Sequence, residues 1–234
     1  MKEIDFNTPN IVTMLVYGTT GCGKTHFAAT AIDSYKTLYL NTEEKTSTLS
    51  KWGSKLQKNG SRAFWIDSQA ETREILSKLR DKQTYEVLVI DSLSRYQLLD
   101  QLAITGDKRD KTTQEDFGKL HIHMSQTMLL TPKNSMHMIV TALAEEYTRT
   151  FANGTKGSRF RPSLIGKFGS LIGGWFNIMA FMEFDGTTRR MHFVSGPDFD
   201  AKSEFDMPPY LDNPTFGDVV KLINKGGESR TDKE

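Results

Sequence analysis

A lysine and a threonine stand side by side at Lys24 and Thr25, and three glycines precede them at Gly18, Gly21 and Gly23. Together Gly18, Thr19, Thr20, Gly21, Cys22, Gly23, Lys24 and Thr25 fit the pattern G-x-x-x-x-G-K-S/T, and the chemistry that this pattern serves is the holding of phosphate. Glycine reaches backbone conformations closed to other residues, so main-chain N–H groups can converge on phosphate oxygens at the start of a helix. Lys24 would reach the terminal phosphates of ATP, and the Thr25 hydroxyl would ligate Mg²⁺. The backbone cradle runs from Gly18 through His26. Cys22 sits at a variable position in it, and its side chain has no assigned part.

Hydrolysis of a bound nucleotide needs further groups. A carboxylate that holds Mg²⁺ through water is expected at the end of a buried strand, beside the strand that leads into the glycines. The segment "VLVIDS" supplies it as Asp91, followed by Ser92. Orienting or deprotonating water needs another acid or base. Glu43 and Glu44 follow the strand "TLYLN", and Glu43 is taken as the catalytic one. Thr141 in "IVTA" stands where it could hydrogen-bond the γ-phosphate or the attacking water. His121 and His123 lie two apart on an expected helix, so their side chains diverge and no metal site is read there.

Positioning these residues requires an α/β fold. Short apolar strands alternate with longer amphipathic segments, the pattern of crossover units around a mostly parallel sheet. Strands are expected over residues 11–17, 37–41, 63–66, 87–91 and 137–142. Helices are expected over 24–33, 45–58, 69–80, 93–104 and 114–130, with Pro132 stopping the last. Beyond residue 143 the Asn153-Gly154 pair predicts a protruding hairpin. Asp185-Gly186 predicts a second turn, between two antiparallel strands at the sheet edge. "NPTFGDVVKLINK" reads as a final helix. The expected division is one domain over residues 1–225 and a disordered tail over 226–234.

Composition narrows the partners. Thirty basic and 29 acidic residues leave a net charge of +1, so no global field draws in nucleic acid or membrane, and any such binding must be local. Cys22 is the single cysteine, which excludes an internal disulfide framework. The first residues lack the basic start and apolar core of a signal peptide. No apolar run approaches the roughly 20 residues of a membrane helix. A cytoplasmic location, without a membrane partner, is the expectation.

Taken together, "VYGTTGCGKT", "LYLNTEE", "VLVIDSLSR", "EDFGKLH", "IVTALAEE", "RPSLIGK" and "AKSEFDMPP" resemble the RecA-like P-loop ATPases, in particular the short phage-encoded group associated with recombination and single-strand annealing. The resemblance implies a RecA-like core with ATP held by Gly18 to Thr25, Mg²⁺ assisted by Asp91, and water activated by Glu43. It matches Thr141 to a sensor position, and implies a homo-oligomer in a host cytoplasm. Relatives often carry a histidine two residues after that sensor, where this chain has Leu143. They also show Lys-x-Arg used across a subunit interface, where this chain has Lys202 followed by Glu204. Lys202 remains the candidate to act in trans.

Residues 149–167 hold Arg149, Lys156, Arg159, Arg161 and Lys167 without an acidic residue, interleaved with Phe151 and Phe160. Cations for phosphates and aromatic faces for bases are the means of holding single-stranded DNA. The leading reading is an ATPase acting on single-stranded DNA in recombination or annealing. A nucleotide or small-molecule kinase with an arginine-rich lid, and a slowly hydrolysing ATP-gated interaction module, stay open as alternatives.

Overall fold

Strand β1, Thr13–Gly18, is buried at every residue and lies at the middle of the sheet. The computed structural model describes residues 10–43, 46–81, 84–106, 112–131, 135–150 and 154–231. On one side of β1 come β5 (His137–Thr150), β4 (Val87–Asp91), β2 (Thr37–Asn41) and β3 (Arg62–Trp65), all parallel where they pair in the sheet. On the other side β7 (Ile178–Phe184) is parallel to β1, and β8 (Arg189–His192) and β10 (Tyr210–Asp212) add antiparallel edges. Strand β6 (Lys156–Pro162) pairs with the far half of β5, and β9 (Lys202–Ser203) with the start of β7.

Central strands buried on both faces read as unbroken apolar runs, which is why β1, β2, β4 and β5 stand out in the sequence. Alternate residues feed two apolar layers. Val16, Tyr39, Val89 and Ile139 pack under helix α1 (Lys24–Ala29) and helix α7 (Phe216–Thr231), through Phe27, Phe216 and Val219. Leu15, Leu38, Leu88 and Val140 pack under α3 (Gln69–Asp81), α4 (Leu93–Thr105) and α5 (Gln114–Leu130), through Leu76, Tyr96 and Met124. Helix α5 starts on a reciprocal cap, with the Thr113 hydroxyl accepting from the Asp116 backbone and Asp116 accepting from Thr113.

The alternating order confirms an α/β fold with a mostly parallel central sheet, flanking helices and antiparallel edge strands. Four details differ from the sequence reading. First, β5 lies between β1 and β4, so the strand of Asp91 is not beside that of the glycines. Second, β7 is an interior strand, because Ile178, Ala180 and Met182 are apolar toward α1 and Phe181 toward the other layer. Third, the helix expected over 45–58 is a 3₁₀ turn, Leu49–Trp52, followed by α2, Gly53–Asn59. Gly53 and the Ser/Thr run before it are weak helix formers. Fourth, α7 continues through Thr231, past Gly226 where the tail was expected, since extending a formed helix costs far less than starting one. Pro132 and Asn153 lie outside the described residues. No helix among the described residues is long and apolar enough to cross a membrane.

Candidate active site

The glycine loop is shaped by backbone demands that only glycine meets. A Cβ on Gly18 would lie 2.1 Å from the carbonyl oxygen of Met182 on β7. Gly21 and Gly23 hold φ values of 83° and 107°, and Gly23 hands the chain to α1 through Phe27 N–H donating to its carbonyl at 2.9 Å. Lys24 is buried, and its Nζ donates to the carbonyls of Gly18 at 2.9 Å and Thr19 at 2.8 Å. The ammonium thus sits within the turn of its own loop. Thr25 and His26 are half-buried, while Thr19, Thr20 and Gly21 face solvent. His26 meets the edge of Trp52, and burial, then the cations of Arg189 and Lys51, hold its pKa below the ordinary imidazole value.

Asp91 ends β4 at 2% exposure, on the sheet face that α1 covers. Tyr39 on β2 donates its hydroxyl to Asp91 Oδ2 at 2.5 Å, and Thr141 on β5 donates to Oδ1. Burial and the adjacent carboxylate push the Tyr39 phenol well above its usual range, so it keeps the proton it donates. The structure therefore brings Asp91 and Thr141 together, and adds Tyr39, which the sequence reading missed. A tyrosine in an apolar strand carries no signal of its own; only its register beside β4 reveals the role.

Glu43 is placed by a staple between β2 and β4. The Thr42 hydroxyl donates to Ser92 O and accepts from Ser92 N, each at 2.9 Å, and Thr42 N–H donates to Asp91 O at 2.7 Å. The Asp91–Ser92 peptide between them is cis. Glu43 N–H donates to Asn41 Oδ1 at 2.9 Å, turning the chain so that Glu43 lines a cavity of about 690 Å³ with Ser92, Arg95, Leu143 and Arg161. That cavity opens on the α4 face and includes no residue of the glycine loop. Glu44 lies outside the described residues.

The hairpin formed by β5 and β6 has the expected antiparallel register, from Ala144↔Pro162 to Thr150↔Lys156. Its cations are not displayed as expected. Arg159 is 6% exposed and donates to Phe199 O at 2.6 Å and Asp200 Oδ1 at 2.7 Å. Arg161 donates to Glu145 at 2.7 Å and lies over the Tyr147 ring, and Arg149 is 3.7 Å from Asp200. Phe160 is half-buried and stacks on Phe181 at 5.7 Å. The cause is a segment distant in sequence: Phe160 and Asp198–Asp200 exchange backbone bonds, and Asp200 supplies the counter-charge. Lys156 and Lys167 are exposed, and Phe151 lies outside the described residues.

Lys202 pairs with Glu204 at 3.3 Å on β9, against Met179 near the start of β7. The glycine loop begins at the other end, where Gly18 faces Met182. Three strand steps, about 10 Å, separate the two, so Lys202 is remote from its own loop. His123 bonds Asp100 at 2.9 Å and His121 meets the edge of Phe168, which places the two rings on different partners. Arg189, at the start of β8, was not anticipated: a Cβ on Gly23 would lie 2.4 Å from its Cδ.

The glycines, Lys24 and Thr25 fit a nucleotide polyphosphate, since the cradle has no room for other side chains at Gly18 and Gly23. Among the described residues no three His, Cys, Asp or Glu side chains cluster, so a Mg²⁺ ion there would be held by Thr25, the phosphates and water, with Asp91 acting through that water. A protein-family model described as an AAA domain matches residues 11–205. No curated protein matches the chain.

Proposed function

Since the chain belongs to the AAA domain family, a family of P-loop nucleotide-binding ATPases, we propose that it hydrolyses ATP with Mg²⁺ and couples turnover to single-stranded DNA. The observation that carries the hydrolytic part is the convergence of the Tyr39 and Thr141 hydroxyls on the carboxylate of Asp91, the last residue of β4. Lys24 leaves its two loop carbonyls to meet the terminal phosphates, and the loop N–H groups orient the phosphate chain. Thr25 and Asp91 would hold Mg²⁺, which when bound neutralises charge developing on the phosphates. Glu43, fixed by the Thr42–Ser92 staple, takes a proton from the attacking water.

The DNA part rests on the resemblance and on the exposed Lys156 and Lys167. A kinase lid is less well supported, because Arg159 and Arg161 are already held by Asp200 and Glu145. An assembly of several copies, in which Lys202 would serve a neighbouring copy's loop, is part of this reading because Lys202 is remote from its own loop. Sedimentation with a non-hydrolysable ATP analogue tests that assembly. Phosphate release, measured with Mg²⁺ or with a chelator and with or without single-stranded DNA, tests the function. Turnover that needs Mg²⁺ and rises with DNA is expected. Transfer of labelled phosphate to a nucleoside instead of water would establish the kinase.

A further inference from the structure

Arg189 is a cation beside the glycine loop that has no acidic partner among the described residues. Its Nε is buried without a hydrogen-bond acceptor among the described residues, and its guanidinium lies over the Phe184 ring, whose centroid is 5.2 Å from Cζ. The other arginines of this region differ. Arg190, the next residue, holds Asp212 with two bonds at 2.7 and 3.1 Å, and Arg159 and Arg161 are paired with carboxylates. Placing a guanidinium against backbone without an anion is unfavourable. Its position against Gly23 makes sense when the anion is the ligand of that loop.

The sheet order tells which part of the ligand. Lys24 reaches the terminal phosphates; Asp91 ends β4, and Thr141 lies in β5 opposite Val16, two residues before Gly18, both on one flank of β1. Arg189 begins β8, on the opposite flank beyond β7. A phosphate chain whose γ end faces β5 and β4 turns its α end toward β7 and β8. The missing Cβ at Gly23 lets the Arg189 stem cross the loop backbone at that end, and the charge also depresses the pKa of His26, the last residue of the cradle. We propose that Arg189 binds the α-phosphate of the nucleotide held by its own chain. This rests on the glycine loop being the nucleotide site.

The α-phosphate is common to ADP and ATP, so both must respond alike. Titration calorimetry of the full chain with ADP and with a non-hydrolysable ATP analogue is the test. Arg189→Met, which keeps an apolar stem on Phe184, is expected to weaken both by the same factor, about 10- to 100-fold for a lost charge-assisted bond. Arg189→Lys, which keeps charge without the fork, should weaken both by a smaller shared factor. Loss confined to the ATP analogue overturns the α-phosphate assignment, and unchanged affinities in Arg189→Met overturn the contact altogether. If Arg189→Met does not fold, Arg189→Lys decides, and unchanged affinities there overturn the proposal. A wild-type chain that binds neither nucleotide sinks the site itself, whereas wild-type binding with an indifferent Arg189 sinks only this inference.

Discussion

The Tyr39 hydroxyl lies 2.5 Å from Asp91 Oδ2, across the boundary between β2 and β4. With Thr141 on the other oxygen, the carboxylate is gripped from both neighbouring strands and cannot turn. Removing one donor leaves a buried acceptor unsatisfied, which costs about 1–3 kcal/mol. Tyr39→Phe should therefore lower the unfolding free energy by that amount in a denaturant titration. An unchanged midpoint would mean that water replaces the phenol and that the grip is unimportant.

Lys24→Ala should abolish ATP turnover and weaken nucleotide binding while the domain stays folded. Among the described residues its ammonium is bonded only to carbonyls of its own loop and to the Cys22 sulfur at 3.7 Å, so little of the core depends on it. Phosphate release and circular dichroism measured on one preparation separate the two effects. Normal hydrolysis by this variant refutes the site.

Glu43→Gln should keep ATP binding and reduce turnover by roughly 10²- to 10⁴-fold, the usual worth of a general base. Glu44→Gln should do much less. Thr42→Val, which removes the hydroxyl that ties β2 to Ser92, should reproduce part of the Glu43→Gln loss. The reverse ranking of the two glutamates in a steady-state assay would transfer the role to Glu44.

What could be read from the chain in advance was local or uniform. "TLYLN" and "VLVID" are strands because burial on both faces makes the residues between their ends apolar or aromatic, and the glycine pattern states its backbone demands within eight residues. What could not be read depends on order in the sheet. The insertion of β5 between β1 and β4 separates the two phosphate-side strands without a trace in either. Arg159 and Asp200 are 41 residues apart, and Tyr39 and Asp91 are 52 apart. Such pairings turn a charged hairpin into a packed one and a core tyrosine into a ligand of the site carboxylate.

His137 gives the fold a pH dependence. Its Nδ1 accepts from Val12 N–H at 2.9 Å, and burial holds its pKa below the ordinary imidazole value of about 6.5. A histidine whose folded pKa is depressed binds its proton more readily in the unfolded chain. Its contribution is thus complete above about 6.5 and is lost as pH falls below that value. Unfolding free energy measured from pH 8 to 5 should decline in the lower half of this range, and His137→Asn should flatten the decline. An equal slope in the variant places the acid sensitivity elsewhere.

The last prediction separates the two roles available to the hairpin cations. Arg159→Ala breaks a pair that is buried on the arginine side, so it should destabilise the fold by about 3–5 kcal/mol. Any loss of DNA binding in that variant would follow from unfolding. Lys156 and Lys167 are exposed, and replacing them with alanine should leave stability within about 0.5 kcal/mol. If they contact phosphates of a single strand, each removal should flatten the plot of log affinity against log salt by about 0.7, thus roughly 1.4 for the pair. Fluorescence anisotropy with an oligonucleotide at several salt concentrations reads that slope. A double lysine variant with unchanged slope and affinity would take Lys156 and Lys167 out of DNA binding, and Arg159 and Arg161, committed to Asp200 and Glu145, do not substitute for them.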